Sequence, residues 1–193
     1  MKQAVFSGAA TALITPMYPD GSVNLEEMKR LVEWQIEQGI DALVACGTTG
    51  ECATLSREEH LQVVSCVVEQ AAGRVPVIAG SGSNDTAFSV VTSKEAAAIG
   101  ADALMSVTPY YNKTTQEGLL RYFCTIAEAA GLPLIVYNVP SRTGMDISVE
   151  TCRKLSEHPL IAGIKEASGD VAKASRIVEY CGEDLPVYSG NDD

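Results

Sequence analysis

Long apolar runs, histidines and clusters of basic residues are scarce in this sequence of 193 residues. No run reaches the ~18 apolar residues of a membrane-spanning helix, so no membrane partner is expected. Acidic residues outnumber basic ones by 25 to 14, which gives a formal net charge of -11 at pH 7. Because binding to phosphate backbones needs clustered Lys and Arg, no nucleic-acid partner is expected either.

Metal-binding and disulfide motifs are also missing. The two histidines, His60 and His158, fall in helical or post-helical segments, which leaves a Ser-His-Asp arrangement and a His-rich metal site without support. None of the six cysteines forms a CxxC pair, and four lie in apolar periodic segments. We therefore predict reduced core cysteines in a cytoplasmic protein, with no disulfide and no metal. The carboxylates of Asp192 and Asp193 alone are weak evidence for a cation site.

Seven short apolar runs are typical of strands. They are continuous and do not alternate with polar residues, which indicates strands buried on both faces and hence a parallel sheet. The predicted strands are Ala9–Ile14, Ala42–Cys46, Val75–Gly80, Ala103–Val107, Leu134–Asn138, Ile161–Lys165 and Pro186–Ser189.

Helical patterns separate these runs. The first places Leu25, Met28, Leu31, Val32 and Ile36 at helical spacing, with charged residues on the other face. Similar patterns predict helices over about 57–72, 86–99, 116–130, 148–156 and 171–181. The alternation is that of parallel strands joined by crossover helices.

Two architectures fit this order, a doubly wound open sheet and a (β/α) barrel. An open dinucleotide-binding sheet would carry a glycine fingerprint after its first strand, where this chain has TPMYPDGSV. The uniform repeat without a phosphate loop favours the α/β class with a (β/α)8 TIM barrel. Since such a barrel has eight strands, we expect residues 1–193 to form an incomplete barrel domain, truncated after the seventh strand.

Candidate catalytic residues lie where strands end, because active sites of these folds form at the carboxyl ends of the strands. Lys165 continues the apolar run LIAGI of the sixth strand and is expected to point into the barrel mouth. Burial disfavours an ammonium ion, and a lysine that is neutral near pH 7 can form a Schiff base with a carbonyl. The alternative is a lysine that snorkels from a strand end or pairs with Glu166.

Other strand ends carry hydroxyls, phenols and a guanidinium. Thr48 and Thr49 lie between two glycines after the second strand, where they can hold a small carboxylate or cap a tight turn. Tyr111 and Tyr137 offer phenolic protons for acid–base relay, the alternative being core rings with satisfied hydroxyls. Arg142 lies in a Pro-Ser-Arg-Thr-Gly loop. Its guanidinium can bind a second carboxylate or form an ion pair within the loop.

Five strand-end motifs occur in a defined order along the chain. They are GTTGE, VTPYYN, YNVPSRTG, GIKEAS and YSGND, after strands two, four, five, six and seven. In this combination the chain resembles the dihydrodipicolinate synthase family, of the N-acetylneuraminate lyase superfamily of pyruvate-dependent class I aldolases. The resemblance runs from GAATALITP onward. It implies a (β/α)8 barrel whose eighth strand and C-terminal helical region are absent from residues 1–193.

The resemblance implies a lyase that joins pyruvate to L-aspartate 4-semialdehyde, giving 4-hydroxy-tetrahydrodipicolinate in diaminopimelate and lysine biosynthesis. Lys165 matches the family's Schiff-base lysine, and no metal or organic cofactor is required because the lysine is the electron sink. Tyr137 matches the tyrosine that relays protons at the imine. Thr48 matches the threonine that links it to a second tyrosine, which Tyr111 matches. In the family that second tyrosine comes from a neighbouring subunit, so a homo-oligomer, dimer or tetramer, is implied.

Substrate-binding residues follow from the same resemblance. Thr49 matches a residue that binds the pyruvate carboxylate, and Arg142 matches the arginine that receives the carboxylate of the semialdehyde. Gly190 falls where a backbone carbonyl helps to bind substrate. Two alternatives stay open: another pyruvate-dependent aldolase, acting on N-acetylneuraminate or a keto-deoxy sugar acid, and an inactive truncated fragment.

One departure from the family pattern concerns feedback by lysine. Lysine-inhibited members carry a glutamate where this chain has Phe88, and often a histidine where it has Arg57. His60, Asn84 and Tyr110 match that inhibitor site. A phenylalanine cannot accept a hydrogen bond from the inhibitor's ammonium group, so we expect weak or absent lysine feedback.

Overall fold

The computed structural model describes residue 2 and residues 4–191. Strands and helices alternate along these residues, as the sequence predicts. The strands are β1 (Ala10–Ala12), β2 (Ala42–Ala45), β3 (Val77–Gly80), β4 (Ala103–Val107), β5 (Leu134–Asn138), β6 (Ile161–Glu166) and β7 (Val187–Ser189). The α-helices are α1 (Leu25–Glu37), α2 (Arg57–Ala71), α3 (Thr86–Ile99), α4 (Gln116–Ala130), α5 (Pro140–Thr143), α6 (Val149–Ser156) and α7 (Val171–Cys181).

Local sequence signals explain where the helices begin and end. Ser56 accepts a hydrogen bond from Glu59 N, and the Glu59 side chain accepts one from Ser56 N, so α2 starts in a capping box. Asp170 caps α7 by accepting from Lys173 N. At the other end of a helix, Gly131 closes α4 in the left-handed conformation, with φ of 69°.

The chain divides into two compact units. Unit A contains Phe6–Gly80 and Lys94–Leu104, and unit B contains the residues before Phe6, Ser81–Ser93 and the residues from Met105 onward. In unit A the strands follow the order β1-β2-β3 and then the start of β4. The pairs β1–β2 and β2–β3 are parallel, with Ala10 opposite Ala42 and Leu43 opposite Val77.

Unit B contains the end of β4, then β5, β6 and β7, in that order. Its pairs β5–β6 and β6–β7 are parallel. All five residues of β5 are buried, as are five of the six residues of β6, the exception being Lys165. A lone half-buried lysine in an otherwise buried strand marks this position for function.

The predicted order of elements is confirmed. Two strands, β4 and β5, have the predicted bounds, and the six predicted helices are all present. The first strand is shorter than expected and ends at Ala12. Leu13 N still donates to Val44 O at 3.0 Å, but the next residue, Ile14, is 55% exposed. The one-turn helix α5 was not predicted. Within the residues described, no helix combines the length and the apolar character needed to cross a bilayer.

Candidate active site

Lys165 and Tyr137 face each other at the ends of β6 and β5. The strand register pairs Tyr137 with Lys165 and Asn138 with Glu166. Because side chains alternate along a strand, Tyr137 and Lys165 share one face and the other two residues share the opposite face. Lys165 Nζ lies 4.6 Å from the centroid of the buried Tyr137 ring. The structure thus brings together the predicted nucleophile and the predicted proton relay.

Gly190 lies directly beside the Lys165 side chain. Its N–H donates to Glu166 O at 2.8 Å, which extends the β6–β7 ladder by one residue. A Cβ atom built on Gly190 would come within 3.0 Å of Lys165 Cε, 3.2 Å of Lys165 Cγ and 2.8 Å of Ala167 Cβ. A larger residue at this position would therefore require the Lys165 methylene chain and Ala167 to shift by a few tenths of an ångström or more.

Tyr188 lies beside Lys165 on the same face, in the neighbouring strand β7. The register pairs Tyr188 with Lys165. Gly163 lies two residues before Lys165 in β6, on the same face. A Cβ on Gly163 would lie 2.9 Å from Tyr188 Cε2, so the ring packs directly on this glycine. The Tyr188 ring therefore fills the space that Gly163 leaves on the face that carries Lys165.

Arg142 is placed by α5, where the sequence predicted a loop. Pro140 opens this single turn and Gly144 ends it in the left-handed conformation, with φ of 67°, as is common for proline and glycine at helix ends. Arg142 lies in the last turn and its side chain is exposed. Its guanidinium is available to an anionic ligand from solvent.

Burial and charge act in opposite directions on the Tyr137 phenol. Desolvation raises the pKa of Tyr137 from its ordinary value, and the positive charge of Arg142 opposes this increase. The net direction is upward, so Tyr137 holds its proton at neutral pH. It can therefore act first as a hydrogen-bond donor or a general acid.

Tyr111 follows β4 in unit B and is 92% exposed. Its φ of 69° is rare for a bulky residue. The next residue, Asn112, anchors the loop by donating from Nδ2 to Asn84 O at 3.0 Å. The Tyr111 ring is therefore open to solvent on a backbone conformation that bulky residues rarely adopt, and its role stays a prediction.

Thr48 and Thr49 lie in unit A, in the turn that follows β2, and both are exposed. Gly50 N donates to Gly47 O and Glu51 N donates to Thr48 O, each at 3.0 Å. Thr15 Oγ1 donates to Gly50 O at 2.7 Å, which holds the turn to the end of β1. The turn is therefore built as predicted, while the roles of its hydroxyls stay a prediction.

Sequence reasoning overlooked a buried polar cluster behind the Lys165–Tyr137 pair. Asn138, Glu166 and Lys173 are at most 8% exposed, and the carboxylate of Asp146 contacts both Asn138 and Lys173. The available signal was the motif itself, since Asn138 and Glu166 are polar residues at the ends of two buried strands.

Metal ligands do not gather in the part of the chain that the structure describes: no three His, Cys, Asp or Glu side chains there could hold an ion. Asp192 and Asp193 lie outside the described residues. The six cysteines are free thiols. Burial raises the pKa of Cys46 and of Cys152 to about 12, which keeps both protonated.

The geometry supports chemistry on a small anionic carbonyl compound. An amine next to a phenol can add to a carbonyl carbon while the phenol transfers a proton. The guanidinium of Arg142 can bind a carboxylate through two hydrogen bonds.

Comparison with known proteins agrees with this chemistry. Residues 5–193 match the model of the Dihydrodipicolinate synthetase family. The 4-hydroxy-tetrahydrodipicolinate synthase of Methylococcus capsulatus is 52% identical over 188 residues, which cover 97% of this chain and 65% of that protein. A crystal structure of dihydrodipicolinate synthase from Acinetobacter baumannii, complexed with pyruvate, is 50% identical with a TM-score of 0.94, covering 96% of this chain and 64% of that one.

A third relative was solved with lysine bound. It is the dihydrodipicolinate synthase of Cyanidioschyzon merolae, 40% identical with a TM-score of 0.95 over 98% of this chain and 65% of that chain. The present chain thus spans slightly less than two thirds of the length of the relatives it matches.

Strand order, site and structural similarity define a (β/α)8 TIM-barrel protein of the α/β class, represented by seven strands, which confirms the predicted fold class. More narrowly, the chain belongs to the dihydrodipicolinate synthetase family.

Proposed function

We propose that the protein is a lyase that condenses pyruvate with L-aspartate 4-semialdehyde to give 4-hydroxy-tetrahydrodipicolinate, a step of diaminopimelate and lysine biosynthesis. The observation that carries this proposal is the Lys165 amine 4.6 Å from the Tyr137 ring. The names of relatives about 50% identical support the choice of substrates.

The first half of the reaction forms a nucleophile from pyruvate. Lys165 Nζ adds to the ketone carbon, and loss of water leaves an iminium ion. The positive charge of the iminium acidifies the methyl group, so loss of one proton gives an enamine. Tyr137, a neutral phenol at the same strand ends, supplies the proton for the departing water and accepts one in turn.

The second half forms the carbon–carbon bond. The enamine carbon attacks the aldehyde carbon of the semialdehyde, and the aldehyde oxygen takes up a proton to become a hydroxyl group. The amino group of the semialdehyde portion then replaces Lys165 Nζ at the imine carbon, which closes the ring and releases the enzyme. Arg142 binds the carboxylate of the semialdehyde through its guanidinium.

The remaining roles rest on the family resemblance. We assign Thr49 to the pyruvate carboxylate, Thr48 to the proton relay and the Gly190 carbonyl to substrate binding. Tyr111 is assigned to the relay from a neighbouring subunit of a homo-oligomer, and its 92% exposure supports a contact outside its own chain. Free thiols at all six cysteines support a reducing, cytoplasmic location.

Reductive trapping tests the proposed function directly. The full chain is incubated with pyruvate and borohydride, digested and analysed by mass spectrometry. We expect one reduced adduct, on the peptide that contains Lys165. Product formation is then assayed with L-aspartate 4-semialdehyde and, in parallel, cleavage of N-acetylneuraminate. No adduct at Lys165 would refute the Schiff-base mechanism, and cleavage of N-acetylneuraminate alone would favour the rival aldolase.

Gly190→Ala is expected to slow imine formation about tenfold, because the added methyl group presses on Lys165 Cε and Cγ. Overpacking of this kind costs about 1–3 kcal/mol. The measurement is the rate of adduct trapping at saturating pyruvate. Gly169→Ala is the control for lost stability alone: nothing lies within 4 Å of a Cβ there, but its φ of 76° makes alanine strained, so it is expected to trap pyruvate at the wild-type rate while folding less stably. Trapping at the wild-type rate in Gly190→Ala would show that this contact does not constrain Lys165.

We also propose that lysine feedback is weak or absent. Phe88 is 47% exposed near the start of α3, and Arg57 forms an ion pair with Glu95. We expect wild-type activity to change less than about twofold with ~1 mM L-lysine, measured by the rate of product formation. Phe88→Glu is expected to increase sensitivity, with Phe88→Gln as the uncharged control. Inhibition of the wild type by micromolar lysine would contradict this.

A further inference from the structure

A cluster of four polar residues lies behind the strand pair that carries Lys165 and Tyr137. We call Asn138, Asp146, Glu166 and Lys173 the β5–β6 cluster. Asn138 is fully buried, Glu166 and Lys173 are 6% and 8% exposed, and the Asp146 side chain, at the edge of the cluster, is 54% exposed. Two of these residues follow the candidate catalytic residues in sequence, so their side chains lie on the opposite face of the sheet.

Asn138 connects β5 to β6 and to the segment after α5. Its Nδ2 donates to Glu166 Oε2 at 2.9 Å, to Glu166 Oε1 at 3.2 Å and to Asp146 Oδ1 at 2.9 Å. Its Oδ1 accepts from Ile147 N at 2.9 Å. Both ends of the amide are therefore used, so neither a flipped nor a displaced side chain would satisfy these partners.

Glu166 and Lys173 connect the same strand end to α7. Glu166 Oε1 accepts from Ser168 N at 2.7 Å, and Lys173 Nζ lies 3.6 Å from Glu166 Oε2. The Lys173 ammonium also pairs with Asp146. The backbone of the cluster continues into the site, because Gly190 N donates to Glu166 O and Ala167 N donates to Asn138 O.

Charges in such a position carry a cost in stability. Well-packed apolar residues of similar size commonly stabilise a fold as well as a buried ion pair does, or better. Hydrogen bonds, unlike apolar contacts, are directional. The bonds between the Asn138 amide and the Glu166 carboxylate therefore fix how the last residues of β5 and β6 lie beside each other. Tyr137 directly precedes Asn138, and Lys165 directly precedes Glu166, so the same bonds also fix how Tyr137 and Lys165 are aligned.

We propose that the β5–β6 cluster positions Lys165 against Tyr137 for imine formation. This rests on the proposed function of Lys165 as the nucleophile. Asn138 and Glu166 are positioning residues, since they act through the residues before them and not on substrate. A displacement of about 1 Å at a reacting centre can slow a reaction ~100-fold, so the alignment need change only slightly to be measurable.

An exchange of the two groups tests the proposal. Glu166→Gln places an amide opposite the Asn138 amide, and Asn138→Asp places a carboxylate opposite both Glu166 and Asp146. The double variant Asn138→Asp/Glu166→Gln restores one amide and one carboxylate between β5 and β6 with the same total charge. One carboxylate contact remains, with the Asp146 side chain, which is 54% exposed and can turn into solvent. The rate of borohydride trapping with saturating pyruvate and the pyruvate concentration at half-saturation are measured for the full chain.

We expect each single variant to trap pyruvate about tenfold more slowly, with half-saturation within about twofold of wild type, and the double variant to recover to within about threefold. Ser56→Ala, which removes the α2 cap, is the control for lost stability alone and is expected to trap at the wild-type rate. Should Glu166→Gln not fold, Lys173→Gln tests the same cluster, with an expected decrease of about threefold.

Several results would overturn the proposal. Single variants that trap as fast as wild type would show that the cluster does not act on Lys165. A double variant no faster than the slower single variant would show that the pairing is not what matters. These results are distinct from failure of the proposed function, in which the wild type itself gives no adduct at Lys165.

Discussion

Lys165→Ala is expected to abolish the reduced pyruvate adduct and to lower kcat by about 10⁴-fold or more, because it removes the nucleophile that forms the imine. Lys165 is the half-buried residue of an otherwise buried strand, and its amine lies 4.6 Å from the Tyr137 ring. The measurements are intact mass after borohydride reduction and the steady-state rate with both substrates.

Two further variants separate nucleophilicity from charge and from nonspecific modification. Lys165→Arg keeps a long basic side chain next to Tyr137 but forms no stable imine, so it is expected to be as inactive as Lys165→Ala. Lys154→Ala removes an exposed lysine of α6 and is expected to leave the adduct intact. An adduct that persists in Lys165→Ala and disappears in Lys154→Ala would place the reactive amine elsewhere.

The strands were predictable because burial on both faces leaves a continuous apolar run in the sequence. β4 and β5 show this most clearly, since their bounds agree residue for residue with the runs. Lys165 stood out for the same reason, as a cation that interrupts such a run near its end. Whether a strand is buried on both faces can thus be predicted from the residues of that strand alone.

α5 was missed because one helical turn is too short to show a hydrophobic period. Four residues, from Pro140 to Thr143, give no repeat at helical spacing. The remaining signal was proline at the start and glycine just past the end, which is the usual asymmetry of helix termini. The role of Arg142 stays a prediction, and the helix that holds it was not foreseen.

The β5–β6 cluster was not predicted because its contacts depend on register. Asn138 and Glu166 are adjacent only because β5 pairs with β6 in the observed alignment. Lys173 lies within a helical pattern, where a lysine is normally exposed, yet it is 8% exposed. Its burial is decided by the strand ends that it packs against, and these are distant in sequence.

Tyr137→Phe is expected to lower kcat by about 10²- to 10³-fold, because the phenol transfers protons when water leaves and when the enamine forms. The ring itself remains, so the packing against Lys165 is kept and the protein is expected to fold normally. Half-saturation by pyruvate is expected to change little. The diagnostic measurement is the exchange of pyruvate methyl protons for deuterium in D2O, followed by NMR, since this exchange requires the enamine.

The environment of Tyr137 also sets the expected pH dependence of this exchange. Burial raises the pKa of Tyr137, and the charge of Arg142 only partly opposes this increase. A group whose pKa is raised keeps its proton to higher pH, so Tyr137 is expected to cause a loss of exchange only above the pH at which a free phenol titrates. A limb of the wild-type profile that is due to Tyr137 would therefore lie above this pH and would be missing in Tyr137→Phe.

Tyr180→Phe provides the matched control for the loss of a phenolic hydroxyl, since Tyr180 is 60% exposed on α7. It is expected to exchange the methyl protons of pyruvate at the wild-type rate. If Tyr137→Phe also exchanged them at that rate while still forming the adduct at Lys165, the proton would be carried by another group. Tyr137 would then serve only to pack against the lysine, and the enamine step would need a different acid–base residue.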